Sequence, residues 1–204
     1  MSNLAESLDR PIVLVGSMGA GKSTAGRLLA ERLSLPFIDC DVAIEQSAGC
    51  SVAEIFDRFG EQEFRKRERR MIEHLVDGVV SVIATGGGTF VDDRSRAMLN
   101  RRALTVWLDA PVAVLSARTD EGNSRPLLRT ADPASSLGRL LAERRPSYRQ
   151  AHVRVDSGAG DPDQLVDAII SALKDYLHDH AAGSAPDVRT TKSPKRSPGP
   201  RSRA

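Results

Sequence analysis

The stretch PIVLVGSMGAGKST, residues 11–24, joins a short apolar run to a glycine-rich loop ending in Lys-Ser-Thr. Its second part fits G-x-x-x-x-G-K-[ST], with Gly16, Gly21, Lys22 and Ser23 at the fixed places. The residue types follow from what such a loop holds. Glycines let the backbone turn its N–H groups inward, and a following helix directs its positive end at the same point, so phosphate oxygens meet a ring of donors. A lysine at position 22 reaches the β- and γ-phosphates, and the Ser23 hydroxyl stands where Mg²⁺ binds. Gly19, Ala20, Gly21, Lys22, Ser23 and Thr24 are thus the expected nucleotide-phosphate contacts. Both flanks the motif demands are present. Residues 11–16 read as a strand, and 22–34, with Ala25, Leu28, Leu29 and Leu33 apolar, as an amphipathic helix.

Outward from this loop, further apolar runs read as buried strands: VVSVIATGG (79–87), LTVWLD (104–109), HVRVD (152–156) and the weaker PFID (36–39). Helical patterns lie between and beyond them at 51–58, 61–77, 92–101, 111–118, 133–144 and 162–178. Asp161-Pro162 offers the last helix an N-cap and a first-turn proline. Strand–helix alternation implies crossover units and a parallel sheet covered on both faces.

The chain has 204 residues, enough for one α/β domain, and 27% charged residues, as in ordinary globular proteins. Its net charge of +2 is uneven. Residues 181–204 carry six Lys and Arg against Asp187 alone, which leaves residues 1–180 mildly acidic. That segment contains no Ile, Leu, Phe or Trp, so it is expected to be a disordered basic tail behind a single domain of residues 1–180. The tail has no interleaved aromatics, and no nucleic-acid partner is expected. Two cysteines, Cys40 and Cys50, suggest neither a disulfide framework nor a zinc site and fit a reducing compartment. No secretory signal and no membrane-spanning run are read, so a cytoplasmic location is expected.

A phosphate loop alone does not separate kinases from switches or motors. A guanine-specific N-K-x-D is absent, and the strand that would end in an acidic pair in a mechanical ATPase ends in ATGGG. The acids lie elsewhere. FIDCDVAIE places Asp39 and Asp41 two residues apart at the end of the second strand, where they would point the same way if the segment is extended. Carboxyl ends of parallel strands are where ligands bind. One carboxylate would hold a metal ion through water, and the other would accept a proton from an attacking hydroxyl. Either would also serve as an N-cap for a helix starting at Val42. In GEQEFRKRERRMIEHLV, Phe64, Met71, Ile72 and Leu75 form an inward stripe, and the charges of 65–70 read mostly as a solvated face. Three glycines in a row (86–88) disfavour a strand, so something must approach that backbone closely.

The P-loop GxxGxGKST, the D-x-D after the second strand, GEQEFR, GGG, RPLL and RxPxY, in that order, resemble the shikimate kinases over residues 11 to 177. The resemblance implies a three-layer P-loop kinase fold of nucleoside-monophosphate-kinase type, with a five-stranded parallel sheet flanked by helices. It implies a monomer that uses ATP and Mg²⁺ to phosphorylate the 3-hydroxyl of shikimate. Asp41 would bind the ring hydroxyls and assist deprotonation, and Asp39 would lie near Mg²⁺ with Ser23. Arg65 and Arg144, the latter beside Arg145, would clamp the carboxylate. Gly86, Gly87 and Gly88 would carry the substrate against their backbone, Gly87 closest, with Phe56 and Phe64 as walls. Arg125 would belong to a mobile lid at 119–131 and act on the phosphates with Lys22, and Arg118 would lie against adenine. One departure is visible: where the family often has an arginine before a proline in the adenine loop, this chain reads SGAGDP, with Gly160 near that place.

The residues agree with that implication. A small anionic polyol calls for planar, two-pronged arginines at its carboxylate and for carboxylates at its hydroxyls. A gluconate or nucleoside monophosphate kinase of the same fold, or a nucleotide-binding regulatory module without turnover, are the rival readings.

Overall fold

All four residues of β1 (Ile12–Val15) are fully buried, as the central position of its strand requires. The computed structural model describes residues 4–120, 133–158 and 160–181. Within them β2 (Phe37–Asp39), β3 (Val82–Ala84), β4 (Leu104–Asp109) and β5 (Val153–Asp156) join β1 in one five-stranded parallel sheet of order β2-β3-β1-β4-β5. The seven α-helices among the described residues are α1 (Lys22–Leu33), α2 (Cys40–Ala48), α3 (Val52–Val76), α4 (Asp93–Arg102), α5 (Val112–Asp120), α6 (Pro133–Tyr148) and α7 (Pro162–Ala181). Every residue of β1, β3 and β4 is buried, so both faces of the sheet centre are covered, as helical crossovers dictate. Each Leu, Ile or Val shielded this way is worth about 1.5–3 kcal/mol. The core joins Ile12, Leu14, Ile83, Leu104 and Leu108 of the sheet to Leu29, Ile72, Leu99 and Leu173 of the helices.

Local chemistry sets the element ends. The Asp161 carboxylate accepts from the Asp163 N–H at 2.7 Å, the cap expected before Pro162. Ser51 and Glu54 form a reciprocal capping box at the start of α3. Gly60 breaks α3 with φ 78 and ψ 171, so the two helices read at 51–58 and 61–77 exist as arms of one bent element.

Other expectations need correction. The run at 79–87 pairs only over Val82–Ala84, because strand length is set by the neighbours β1 and β2 rather than by hydrophobicity, and Val79 is 68% exposed. Residues 40–48 form a helix, so Asp39 and Asp41 span a strand-to-helix junction and not an extended segment. α6 runs past 144 and through Pro146 to Tyr148, a fully buried residue whose packing holds the last turn.

At the far edge, His152 Nδ1 accepts from the Thr105 N–H at 3.1 Å, which requires an unprotonated Nδ1. Burial, and then Arg10, hold the His152 imidazole below its usual 6.5. A histidine depressed in the folded state contributes full stability above its unfolded pKa and loses it as pH falls through the folded value. Melting temperature should therefore drop as pH is lowered from 6.5. His152→Gln should flatten that limb in a thermal-melt series, and an unchanged limb would acquit His152.

Candidate active site

The site lies at the carboxyl ends of β1, β2 and β3, where three loops converge. The first is the phosphate loop. Gly19 adopts φ 76, and a Cβ there would lie 2.7 Å from the Leu115 carbonyl, so only glycine closes this turn. Gly21 is the N-cap of α1 and supplies no side-chain hydrogen bond, so the first-turn N–H groups at Lys22, Ser23 and Thr24 face outward as an anion cradle. Ala20 is buried beneath them. Lys22 is 9% exposed, and its Nζ donates to the carbonyls of Gly16 at 2.9 Å and Ser17 at 2.7 Å. These contacts hold the ammonium against the loop, where a phosphate would lie.

The second loop follows β2. Asp39 does two jobs at once. Its Oδ1 caps α2 by accepting from the Asp41 N–H at 3.1 Å and the Val42 N–H at 3.5 Å, and its Oδ2 accepts from Ser23 Oγ at 2.6 Å. Capping and site geometry thus coexist in one carboxylate. Asp41 is in the first turn of α2. Both acids line a cleft of about 490 Å³ together with Gly19, Lys22, Thr24 and Arg118. The junction, rather than an extended strand, turns them to the same side.

The third loop explains the glycine run. A Cβ on Gly86 would lie 3.0 Å from Glu68 Oε1 and 3.1 Å from Asp41 Oδ1; on Gly87, 3.5 Å from Arg144 Nη1; on Gly88, 2.5 Å from Arg65 Nη2. Three consecutive glycines therefore face, in order, two carboxylates, one guanidinium and another. What comes close to this backbone is the polar lining itself.

Arg65 is held from behind by its own helix. Its Nη1 donates to Glu68 at 2.8 Å and its Nε and Nη2 to Glu61 at 3.3 and 3.2 Å. Burial works against its charge, but Glu68 and Glu61 outweigh it and raise its pKa. Glu68 is 2% exposed and also accepts from Thr89 Oγ1 at 2.6 Å. Sequence reasoning missed Glu68 by assigning residues 65–70 to a solvated face, although it lies four residues from both Phe64 and Ile72 on the inward stripe. Burial first, then Glu68, Asp41 and Asp39, push the Cys40 thiol far up, so it remains neutral beside these acids.

Phe64 is buried, with the Phe56 ring 4.7 Å from its own and Arg65 5.3 Å above it. On α6 the adjacent arginines part company. Arg144 Nη1 donates to the Gly87 carbonyl at 3.2 Å, whereas Arg145 turns to buried Asp109 at 3.1 Å, which Arg154 also holds at 2.7 Å. Arg118 Nη1 donates to the Ser157 carbonyl at 2.9 Å and reaches Gly19 O at 3.5 Å, so it bridges the phosphate loop and the SGAGDP segment. Gly160 there has φ 95. Arg125 and the lid lie outside the described residues, apart from Thr119 and Asp120, which end α5.

An uncapped helix start with its lysine, beside a small recess lined by paired carboxylates and converging arginines, defines an ATP-dependent kinase of a small polar molecule. The chain belongs to the shikimate kinase family, whose family model matches residues 18–174. It is 47% identical over 169 residues to the shikimate kinase of Rhodopseudomonas palustris, spanning 83% of each chain. It is 45% identical over 177 residues to that of Bradyrhizobium diazoefficiens, spanning 87% of this chain and 86% of the relative. The structure of the Acinetobacter baumannii shikimate kinase in complex with shikimate superposes with a TM-score of 0.79 at 36% identity, covering 84% of this chain and 97% of that one.

Proposed function

We propose that this protein transfers the γ-phosphoryl group of ATP to the 3-hydroxyl of shikimate, a step toward chorismate and the aromatic amino acids. The observation that carries this reading is the row of three glycines facing Asp41 with Glu68, Arg144 and Arg65. Two guanidiniums supply a fork for one carboxylate, and a carboxylate on the other side suits ring hydroxyls. A nucleoside monophosphate would need a base pocket and cations for two phosphate groups, whereas the guanidiniums that the glycine row faces among the described residues, Arg65 and Arg144, suit a single carboxylate.

The hydroxyl oxygen attacks Pγ, the bond from Pγ to the β–γ bridging oxygen breaks, ADP leaves with that electron pair, and the hydroxyl proton passes to Asp41. Lys22 and the α1 N-terminus hold the phosphates and take up developing charge, and Arg125 acts there from the lid. Arg65 and Arg144 fix the acceptor, with Phe56 and Phe64 behind it. Arg118 lies toward the adenine. Ser23 Oγ and Asp39 Oδ2, 2.6 Å apart, are oxygen donors suited to Mg²⁺. Among the described residues no cluster of three or more His, Cys, Asp or Glu could hold a metal, as fits an ion bound mainly by phosphate and water. When bound, Mg²⁺ neutralises charge on the β- and γ-oxygens.

We take the catalytic unit to be one domain ending near residue 180, active as a monomer in the cytoplasm. Among the described residues the exposed large hydrophobics are Val42, Phe59 and Val79, too few for a broad apolar interface, and no helix is long and apolar enough to cross a membrane. The test is ADP release with Mg-ATP across shikimate, gluconate and nucleoside monophosphates. Turnover confined to shikimate supports the reading, and preference for either rival replaces it.

A further inference from the structure

The glycine row has no side chains with which to hold its own shape, and glycine has the most backbone freedom to lose. Its ends are fixed by backbone and nearby polar contacts. The Thr85 N–H and Oγ1 donate to the Leu14 carbonyl at 3.2 and 2.9 Å, and the Val91 N–H donates to Gly88 O at 3.0 Å. Between them the Gly87 carbonyl receives two side-chain donors, both from α6: Arg144 Nη1 at 3.2 Å and Tyr148 Oη at 2.5 Å. A carbonyl has two lone pairs, and both are used here.

The two donors differ in kind. Arg144 is a long, charged side chain with an alternative partner whenever an anion enters the recess. Tyr148 is fully buried, and its ring is stacked on Trp107 with centroids 6.0 Å apart, so packing fixes where its phenol points. Burial raises its phenol pKa against the opposing effect of Arg144, so it remains a donor at neutral pH. The pair stands at i and i+4 on one helix face.

We infer that Tyr148 is a positioning residue for the acceptor site: it locks the Gly87 peptide behind the substrate and keeps that carbonyl satisfied when Arg144 leaves it for the substrate carboxylate. It touches neither reacting group. Without the phenol, engaging Arg144 would leave this part-buried carbonyl without either side-chain donor, and the cost would fall on acceptor binding. The inference rests on the proposed substrate class and is separable from it, because wild-type turnover tests the class and the variant-to-wild-type ratio tests Tyr148.

Tyr148→Phe keeps the ring and its stacking and removes one hydrogen bond, whose usual net worth corresponds to about three- to tenfold in affinity. The acceptor KM should rise by that factor while the KM for ATP stays unchanged. Trp107 is the chain's one tryptophan and lies against Tyr148, so shikimate titrated without ATP and followed by its emission should show the same weakening. In an Arg144→Lys background, whose cation grips the carboxylate less well, the Tyr148→Phe factor should shrink. An unchanged shikimate KM, an equal rise in both KM values, or an identical factor in both backgrounds would overturn the assignment. So would failure of Tyr148→Phe to fold, since the hydroxyl would then serve the core.

Discussion

Asp41→Asn is expected to give a folded, ATP-binding protein whose turnover of shikimate falls at least about a hundredfold. Asparagine keeps the shape and one acceptor oxygen but cannot take the hydroxyl proton. Losing a positioned base typically costs about 10²–10⁴ in rate, or about 3–5 kcal/mol on the barrier. Structural explanations for such a loss are weak here. The cap of α2 is Asp39, not Asp41, so the substitution leaves the cap in place. What Asp41 gives its helix is a first-turn negative charge, worth about 0.3–1 kcal/mol. Stability should therefore shift by about that amount while the rate falls far more. Some rate should survive, because phosphoryl transfer depends largely on positioning and on charge, and Lys22 is untouched by the substitution. The measurement is kcat at saturating shikimate and ATP, paired with a thermal melt. Near-normal kcat would remove Asp41 from the chemistry.

The parts of this site that were legible in the sequence are those whose physics is local. A phosphate loop needs its glycines, lysine and hydroxyl within nine residues, and the flanking strand and helix announce themselves by periodicity. GGG declared a close approach without saying of what. The illegible parts depend on distant partners. Arg144 and Arg145 are neighbours on a helix and point about 100° apart, given its 3.6-residue turn. Which one enters the site is decided by Asp109, on β4, and by the peptide of Gly87, after β3. α2 was legible only as a helix that Asp39 or Asp41 would cap before Val42, and its start at Cys40 was not, because its buried face is only Cys40 and Ile44, too short for a periodic signal. Glu68 was hidden by composition, since a charge flanked by RKR and RR reads as surface, yet its register on the Phe64–Ile72 stripe carried the information. Tyr148 stood inside a quoted motif, but no spacing rule says that a phenol will find a glycine carbonyl some sixty residues earlier.

That register makes Arg65 the second decisive position. Removing its charge would be uninformative, because Glu68 would remain buried without its cation, a loss of about 3–5 kcal/mol that confounds function with folding. Arg65→Lys retains the charge beside Glu68 and gives up the planar fork. Hydrogen bonds to charged groups are worth about 1.5–3 kcal/mol, so the shikimate KM should rise about ten- to a hundredfold while the KM for ATP moves less than about twofold. Gly88→Ala approaches the same guanidinium from the other side. Its Cβ would lie 2.5–2.7 Å from the Arg65 head, the far end of a flexible side chain, and Gly88 is not in the left-handed region. The head should yield and the fold should tolerate the methyl, so shikimate affinity is expected to weaken with little change in melting temperature. Both variants displace one group by different means, and they should share one signature: acceptor KM raised, nucleotide KM spared, stability nearly intact. If Arg65→Lys left the shikimate KM unchanged, Arg65 would be only a helix charge tied to Glu61 and Glu68. If Gly88→Ala unfolded the protein instead, the glycine row would be required by the backbone and not by the guanidinium it faces.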